Sequence, residues 1–329
     1  MSFCLPVFGE QCDRRKNHMN RRYEIILNPI AGKGYAPKKI PLINEFMQSI
    51  DFDYEITLTK DVGHATELAK EFAKKADTIV VAAGGDGTCN EVINGLMLAK
   101  ADNPDLQPVF GVLPIGRGND FAFGASIPAD LTNSLQLLVQ GEDFPMDVGL
   151  IKGGDYPEGR FFGNGIGVGF DTIVGLEAAK MKHIHGAFAY LIGALKTLIL
   201  YPPAPEVEIT YNDISMQINP ALVSIMNGQR MGGTFFMAPN ASNSDGVLNL
   251  CFTQQGSRRE LLKTMMHYVK GTQQTLPNTT TAQSSVFTLK ALSGSLAVHA
   301  DGETICEAGK DIEVSCLPHA IRIICDKKL

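Results

Sequence analysis

The chain has 329 residues, 44% hydrophobic and 19% charged, with a formal charge of −6 from 29 basic and 35 acidic side chains. At roughly 100–200 residues per domain this length points to two domains, and the composition excludes a disordered chain. The acidic excess excludes a general nucleic-acid binder, because phosphate contacts need clustered lysine and arginine.

Residues 1–21 read as a flexible basic N-terminus. The stretch DRRKNHMNRR (13–22) is either a solvated end or a weak anchor to anionic lipid. Either Met1 or Met19 is a candidate start. Glu10 and Asp13 interrupt the early apolar residues, so no signal peptide is expected.

Residues 22–146 alternate strand and helix signals. YEIILN (23–28) is a short apolar run. Ile40, Ile43, Phe46, Met47 and Ile50 then recur at helical spacing, and YEITLT (54–59) reads as a strand. Ala65, Leu68, Ala69 and Phe72 mark a second helix. TIVVAA (78–83) and VFGVLP (109–114) carry no polar alternation, as expected of strands covered on both faces. Fully apolar strands alternating with helices predict a doubly wound, mostly parallel sheet.

The pattern changes near Asp147, and residues 147–317 read as a β-rich antiparallel sandwich. Glycine is dense in GNGIGVGF (163–170). Two helices are expected at 172–182 and 186–201. Short strands follow at 206–211, 214–218, 221–227 and 246–252. A helix at 258–270 and a polar loop at 272–285 precede strands near 286–292, 295–300, 303–307, 311–316 and 320–325. Residues 318–329 are a candidate to return to the first domain. The most apolar helical stretch, 187–201, carries Lys196 and falls short of the ~20 apolar residues that a span requires, so no transmembrane segment is expected. Cys4, Cys12, Cys89, Cys251, Cys306, Cys316 and Cys325 form no C-x-x-C pair. That argues against a disulfide framework or a zinc site and fits reduced thiols of a cytoplasmic protein.

TIVVAAGGDGTCNEVINGLM (78–97) concentrates the chemistry. A buried strand stops on glycines, and Val92, Ile93, Leu96 and Met97 then share one face of a helix expected to start near Thr88. A strand, a glycine loop and a helix N-terminus bring free N–H groups and positive potential to one point, where phosphate binds. Gly84, Gly85 and Gly87 permit positive φ and close approach of a ligand. Asp86 alone would repel phosphate; a bridging Mg2+ removes the conflict, because hard cations share carboxylate and phosphate oxygens.

Two other phosphate motifs fail on spacing. A P-loop needs glycine where Leu27 stands and Ser or Thr where Gly34 stands. A G-x-G-x-x-G run begun at Gly85, Gly116 or Gly165 ends on Asn90, Phe121 or Phe170. Hydride transfer is therefore disfavoured. NPIAGKG (28–34) offers Lys33, LPIGRGNDFA (113–122) offers Arg117, Asn119 and Asp120, and HADGETI (299–305) sits between two strand signals. By spacing alone the last is an Asp-Gly hairpin turn with Glu303 exposed and idle.

NPIAGKG, AAGGDGTCNEVINGL, LPIGRGNDFA, MDVG and the late DGE occur in the order seen in the diacylglycerol kinase catalytic-domain family, which the chain resembles from about residue 22 to 329. The GGDGT stretch alone is shared with NAD kinases; its combination with GRGNDFA and DGE favours the lipid kinases. The resemblance implies an NAD-kinase-like α/β domain and a β-rich domain, with ATP and Mg2+ in the cleft between them. It implies nucleotide contacts from Asn28, Lys33, Thr59, Gly84, Gly85, Asp86, Gly87, Thr88, Asn90, Arg117 and Asp147. It implies that Asp86, Asp120 and Asp147 belong to the Mg·ATP charge balance and that Glu303 is the general base, which reverses the idle-turn reading. Residues 238–250 match a structural divalent-metal loop, with Ser242, Asp245 and Val247 as ligands; an ordinary Asp-Gly turn is the alternative.

The expected activity is ATP-dependent phosphorylation of a lipid hydroxyl, diacylglycerol to phosphatidic acid. The enzyme is expected to be cytoplasmic and to meet its lipid at the membrane surface, with a homodimer as a candidate assembly. Two rivals stand beside it: an NAD-kinase-like enzyme with a soluble substrate, and a non-catalytic nucleotide-binding regulator. Arg117 departs from the family, which has Thr or Ser there, and puts charge in place of a hydroxyl. Lys182 and Lys196 are candidates for a family lysine. The helix at 187–201, through Phe188, Tyr190, Leu191, Leu195 and Leu198, either packs on a sheet or walls a lipid route.

Overall fold

In the computed structural model, which describes residues 21–169, Thr172 and 203–326, the chain divides into two units. One comprises Met1–Met146 and His319–Leu329, the other Asp147–Pro318. The expected helices at 172–182 and 186–201, with Lys182, Lys196 and the suggested lipid wall, lie outside the described residues, as does nearly all of the basic N-terminus.

The first unit is built on β1 (Arg22–Leu27), β2 (Tyr54–Leu58), β3 (Thr78–Gly84) and β4 (Val109–Pro114), ordered β2-β1-β3-β4 and parallel throughout. The last strand, β16 (Asp311–Cys325), adds Arg322 and Ile323 in parallel beside Val109 and Phe110. β3 and β4 are buried along nearly their whole length, as their unbroken apolar runs predict.

Side chains alternate across a strand, so Tyr23, Ile25, Leu27, Ile79, Val81 and Ala83 share one face. They join one core with Ile43 and Met47 of α1 (Ile40–Ser49) and Leu131, Leu135 and Leu138 of α5 (Leu131–Gln140). Between β2 and β3 runs α2 (His64–Phe72), and α3 (Asp86–Asp102) follows β3. These two helices pack so closely that a methyl on Gly95 would come within 2.4 Å of the Thr66 carbonyl. A short helix, α4 (Asp120–Gly124), follows β4.

The C-terminal return is fastened by polar bonds that no periodicity reveals. Asp143 accepts from Arg322 at 2.9 Å and from Arg21 at 2.8 Å. Burial alone would raise the Asp143 carboxyl; the two guanidinium groups outweigh it and hold it below its ordinary value. Lys100 at the end of α3 donates to the Ala320 carbonyl at 2.6 Å.

The second unit is a sandwich. Its six-stranded sheet runs β12 (Thr279–Ser284), β11 (Leu248–Gln254), β10 (Pro220–Met226), β7 (Gly165–Gly169), β14 (Leu296–Ala300), β15 (Glu303–Gly309), all antiparallel. The facing layer contains β8 (Val207–Tyr211), β9 (Ile214–Ile218), β13 (Val286–Ala291) and the first half of β16; β6 (Tyr156–Phe162) pairs with β5 (Glu142–Gly153). Ile166, Val223, Leu250 and Val298 of one sheet share a core with Phe162, Ile209, Phe287 and Val314 of the other. Outside the six-stranded sheet, α6 (Arg258–Lys270) contributes Tyr268 to a smaller cluster with Leu222, Met226 and Cys251. A capping box between Ser257 and Glu260 starts that helix and left-handed Gly271 ends it.

Two expectations fail here. The polar segment 272–285 contains strand β12, because TTTAQS is rich in β-branched threonine and pairs residue for residue with β11. The expected strands at 311–316 and 320–325 are one strand, β16, with left-handed His319 (φ +49) between them.

Candidate active site

Parallel strands deliver their following loops to one edge, and α/β proteins bind ligands there. In the first unit the loops after β1, β2, β3 and β4 all leave from that edge. The structure ties them together. Asn28 donates to the Thr88 hydroxyl at 3.1 Å, and Thr59 donates its N–H to the Leu27 carbonyl at 3.0 Å. Ile115 and Gly116 both donate to the Gly84 carbonyl, at 2.8 and 3.0 Å. Phe121 donates its N–H to Oδ1 of Asp86 at 2.9 Å. Asn28, Thr59, Gly84–Thr88 and Asp120 are thus brought to one edge by short-range bonds.

Helix α3 starts at Asp86, two residues before the expected Thr88. Gly85 is its extended N-cap and supplies no side-chain cap at the helix's positive end. The expected use of positive φ is not what the glycines provide: Gly84, Gly85 and Gly87 all lie outside the left-handed region. Their role is steric. A methyl on Gly84 would sit 2.3 Å from Oγ1 of Thr88, and one on Gly116 would sit 2.4 Å from the Gly85 Cα. Around Gly87 nothing stands within 4 Å of such a methyl, leaving the backbone open.

Asp86 and Asp120 converge. The point where a Gly118 Cβ would lie is 3.0 Å from Oδ2 of Asp86 and 3.6 Å from Oδ2 of Asp120. Asp120 is buried, and Oδ1 of Asn119 beside it is buried with no hydrogen-bond partner. Two carboxylates facing one small space repel each other unless a cation or proton sits between them. Lys33 (φ +63) and Arg117 are exposed in the neighbouring loops, and Gly32 packs against the Ile115 carbonyl. Asn90 lies deeper than the residues above. It is fully buried, one turn into α3, and accepts from Nδ2 of Asn94.

The remaining expected residues belong to the second unit. Asp147 is fully buried; its Oδ2 accepts from the Gly246 N–H at 2.6 Å, and its N–H donates to the Asn243 carbonyl at 2.7 Å. Asp147 is therefore bonded to the loop that holds Ser242, Asp245 and Val247. Within that loop Asp245 Oδ1 accepts from the Val247 N–H at 3.2 Å, and Ser242 Oγ accepts from Ser244 at 3.3 Å. Burial, with Asp147 and Asp245 adding to it, pushes the nearby Cys316 thiol up to about 12. Among the described residues no three His, Cys, Asp or Glu side chains form a metal centre. A cation in this loop would rely on carbonyl oxygens beside the one carboxylate. Glu303 opens β15, half-buried, directly after the Asp301–Gly302 turn.

Sequence reasoning missed Asp301, Asn164 and Asn227, whose side chains hydrogen-bond to backbone groups. An Asp-Gly pair and a glycine-rich run give no sign of it.

A family model described as the diacylglycerol kinase catalytic domain matches residues 22–151, and one described as the YegS C-terminal NAD kinase beta sandwich-like domain matches residues 164–325. A diacylglycerol kinase of Bacillus subtilis is 30% identical over 253 residues, 76% of this chain and 80% of its own length. One of Staphylococcus epidermidis is 28% identical over 286 residues, 87% of this chain and 86% of its own. A crystal structure of a diacylglycerol kinase from Bacillus anthracis has the same fold, with a TM-score of 0.68 at 20% identity, covering 93% of this chain and 97% of that one. Matched along both of its units, the chain belongs to the diacylglycerol kinase family and is an ATP-dependent lipid kinase, a phosphotransferase with an alcohol acceptor.

Proposed function

We propose that the protein phosphorylates diacylglycerol to phosphatidic acid at a membrane surface, with Mg2+ and ATP held on the loops after β1, β3 and β4. The observation that carries the nucleotide assignment is the meeting of Asp86 and Asp120 around Gly118 at the start of α3. Their oxygen donors suit Mg2+, which takes oxygen ligands in octahedral geometry. When bound, the ion would neutralise charge on the transferring phosphoryl.

This chain's residues would do the following. First-turn N–H groups of Asp86, Gly87 and Thr88 would donate to phosphate oxygens, with Lys33 and Arg117 adding positive charge from exposed positions. Thr59 and Asn28 would border the nucleotide. Glu303 would accept the proton of the lipid hydroxyl as its oxygen bonds to the γ-phosphorus and the bridging bond to ADP breaks. Asp147 would hold the 242–247 loop, where Asp245 and the carbonyls of Ser242 and Val247 would bind a second, structural cation. Among the described residues no helix is long and apolar enough to cross a membrane. Since the substrate is a lipid, a surface encounter with the bilayer is the proposed route.

The test incubates the full chain with labelled ATP and Mg2+ against detergent-dispersed diacylglycerol, phosphatidylglycerol, a sphingoid lipid and NAD. Label in phosphatidic acid is the expected result. Label in another lipid replaces the substrate, and label in NAD alone overturns the lipid assignment.

A further inference from the structure

We infer that Asp301 is a positioning residue that fastens the Glu303 hairpin to the strap Gly163–Asn164–Gly165; this rests on Glu303 being the base. Asp301 and Gly302 form the two-residue turn from β14 to β15, with φ +48 and +87, the left-handed pair that a type I′ turn requires. Across that turn Ala300 pairs with Glu303.

An Asp-Gly turn needs nothing further from its aspartate, since Asn or Gly would satisfy the same backbone. Here the carboxylate accepts three consecutive backbone N–H groups. Gly163 donates to Oδ2 at 2.7 Å, and Asn164 and Gly165 donate to Oδ1 at 3.0 and 2.9 Å. Asp301 in turn donates its own N–H to the Gly165 carbonyl at 2.9 Å. Bonds to an ionised acceptor are about twice as strong as neutral ones.

The strap is itself held. Asn227 and Gly228 donate their N–H groups to the Asn164 carbonyl, both at 2.8 Å. Nδ2 of Asn227 donates to the carbonyls of Gly163 and Asp147, each at 2.9 Å. One chain of hydrogen bonds therefore runs from the Glu303 turn to the backbone of Asp147. The hairpin's own ladder is in regular register for only two pairs next to the turn, His299 with Thr304 and Ala300 with Glu303. Before those two pairs the register shifts twice, between Leu296 and Val298 and between Val298 and His299. Bulges of this kind bend a strand and re-aim its side chains. The Asp301 carboxylate adds three bonds to the strap at the end of this short regular stretch.

The experiment is a double-mutant cycle on kcat with diacylglycerol, using Asp301→Gly, Asp301→Asn, Glu303→Gln and the two combinations. Asp301→Gly removes the carboxylate while keeping a residue that tolerates left-handed φ. Its kcat should fall about 100-fold, the cost of a misplacement of about 1 Å, with KM for ATP unchanged. Asp301→Asn keeps an acceptor for Asn164 and Gly165 but turns an N–H against Gly163, and should lose about 10-fold, an intermediate misplacement. In the Glu303→Gln background neither change should lower kcat further, because no base remains to be positioned. Equal losses in both backgrounds, or Asp301→Asn within twofold of the parent enzyme, would overturn the inference. Should Asp301→Gly fail to fold by its melting curve, the cycle is read on Asp301→Asn. Full activity of Glu303→Gln alone would instead refute the base assignment, a separate outcome of the same assay.

Discussion

Asp86→Asn is expected to lower kcat by about 1,000-fold, the upper range for loss of a preorganised charge-stabilising group, while leaving the melting temperature nearly unchanged. The expectation rests on two different uses of one carboxylate. Oδ1 accepts the Phe121 N–H and so ties the start of α4 to the start of α3. Oδ2 faces the space at Gly118 that Asp120 also faces. Asparagine can keep the first bond, so the loop should survive. It removes the negative charge, so an ion shared with Asp120 should be lost. Steady-state kinetics as a function of Mg2+ concentration, beside a thermal melt, separates the two. Asp86→Ala removes both uses and should lose stability as well. Full turnover by Asp86→Asn would show that the carboxylate only braces the loop.

Glu303→Gln is expected to lower kcat by about 100- to 10,000-fold, the usual worth of a general base, with ATP affinity retained. Glutamine preserves the size and most of the polarity of the side chain but cannot take the substrate proton. Glu303 lies on β15, far along the chain from every loop at the edge of the first unit's sheet. A loss confined to kcat, with nucleotide binding measured by calorimetry unchanged, is the signature of a group used only in the chemical step. Loss of nucleotide affinity instead would reassign Glu303 to binding.

Much of this was legible in the residue order, for physical reasons that differ by element. The runs TIVVAA and VFGVLP have no polar alternation because helices cover both faces of a parallel sheet. The glycines after TIVVAA announced a loop where backbone must come close to something. What the pattern could not say is what that something is. At Gly84 it is the Thr88 side chain, and at Gly116 it is the Gly85 backbone, contacts between loops distant in sequence or folded back on themselves. Positive φ was the local guess, and tertiary packing overrode it. Asp301 was hidden for a related reason. Its local signal is complete as a turn, so nothing within the HADGETI stretch points to Gly163, 138 residues away. β12 was missed because a threonine-rich segment looks polar, yet pairs well along the edge of a sheet. The convergence of Asp86 and Asp120 likewise needs the fold, since the residues between them include an entire helix and strand.

A crystal structure with Mg2+ and a non-hydrolysable ATP analogue tests the account most directly. It should show the triphosphate against the backbone of Gly85–Thr88, with the ion between that triphosphate and the Asp86 carboxylate. A well-ordered analogue seated elsewhere, with those N–H groups facing only water, would contradict it.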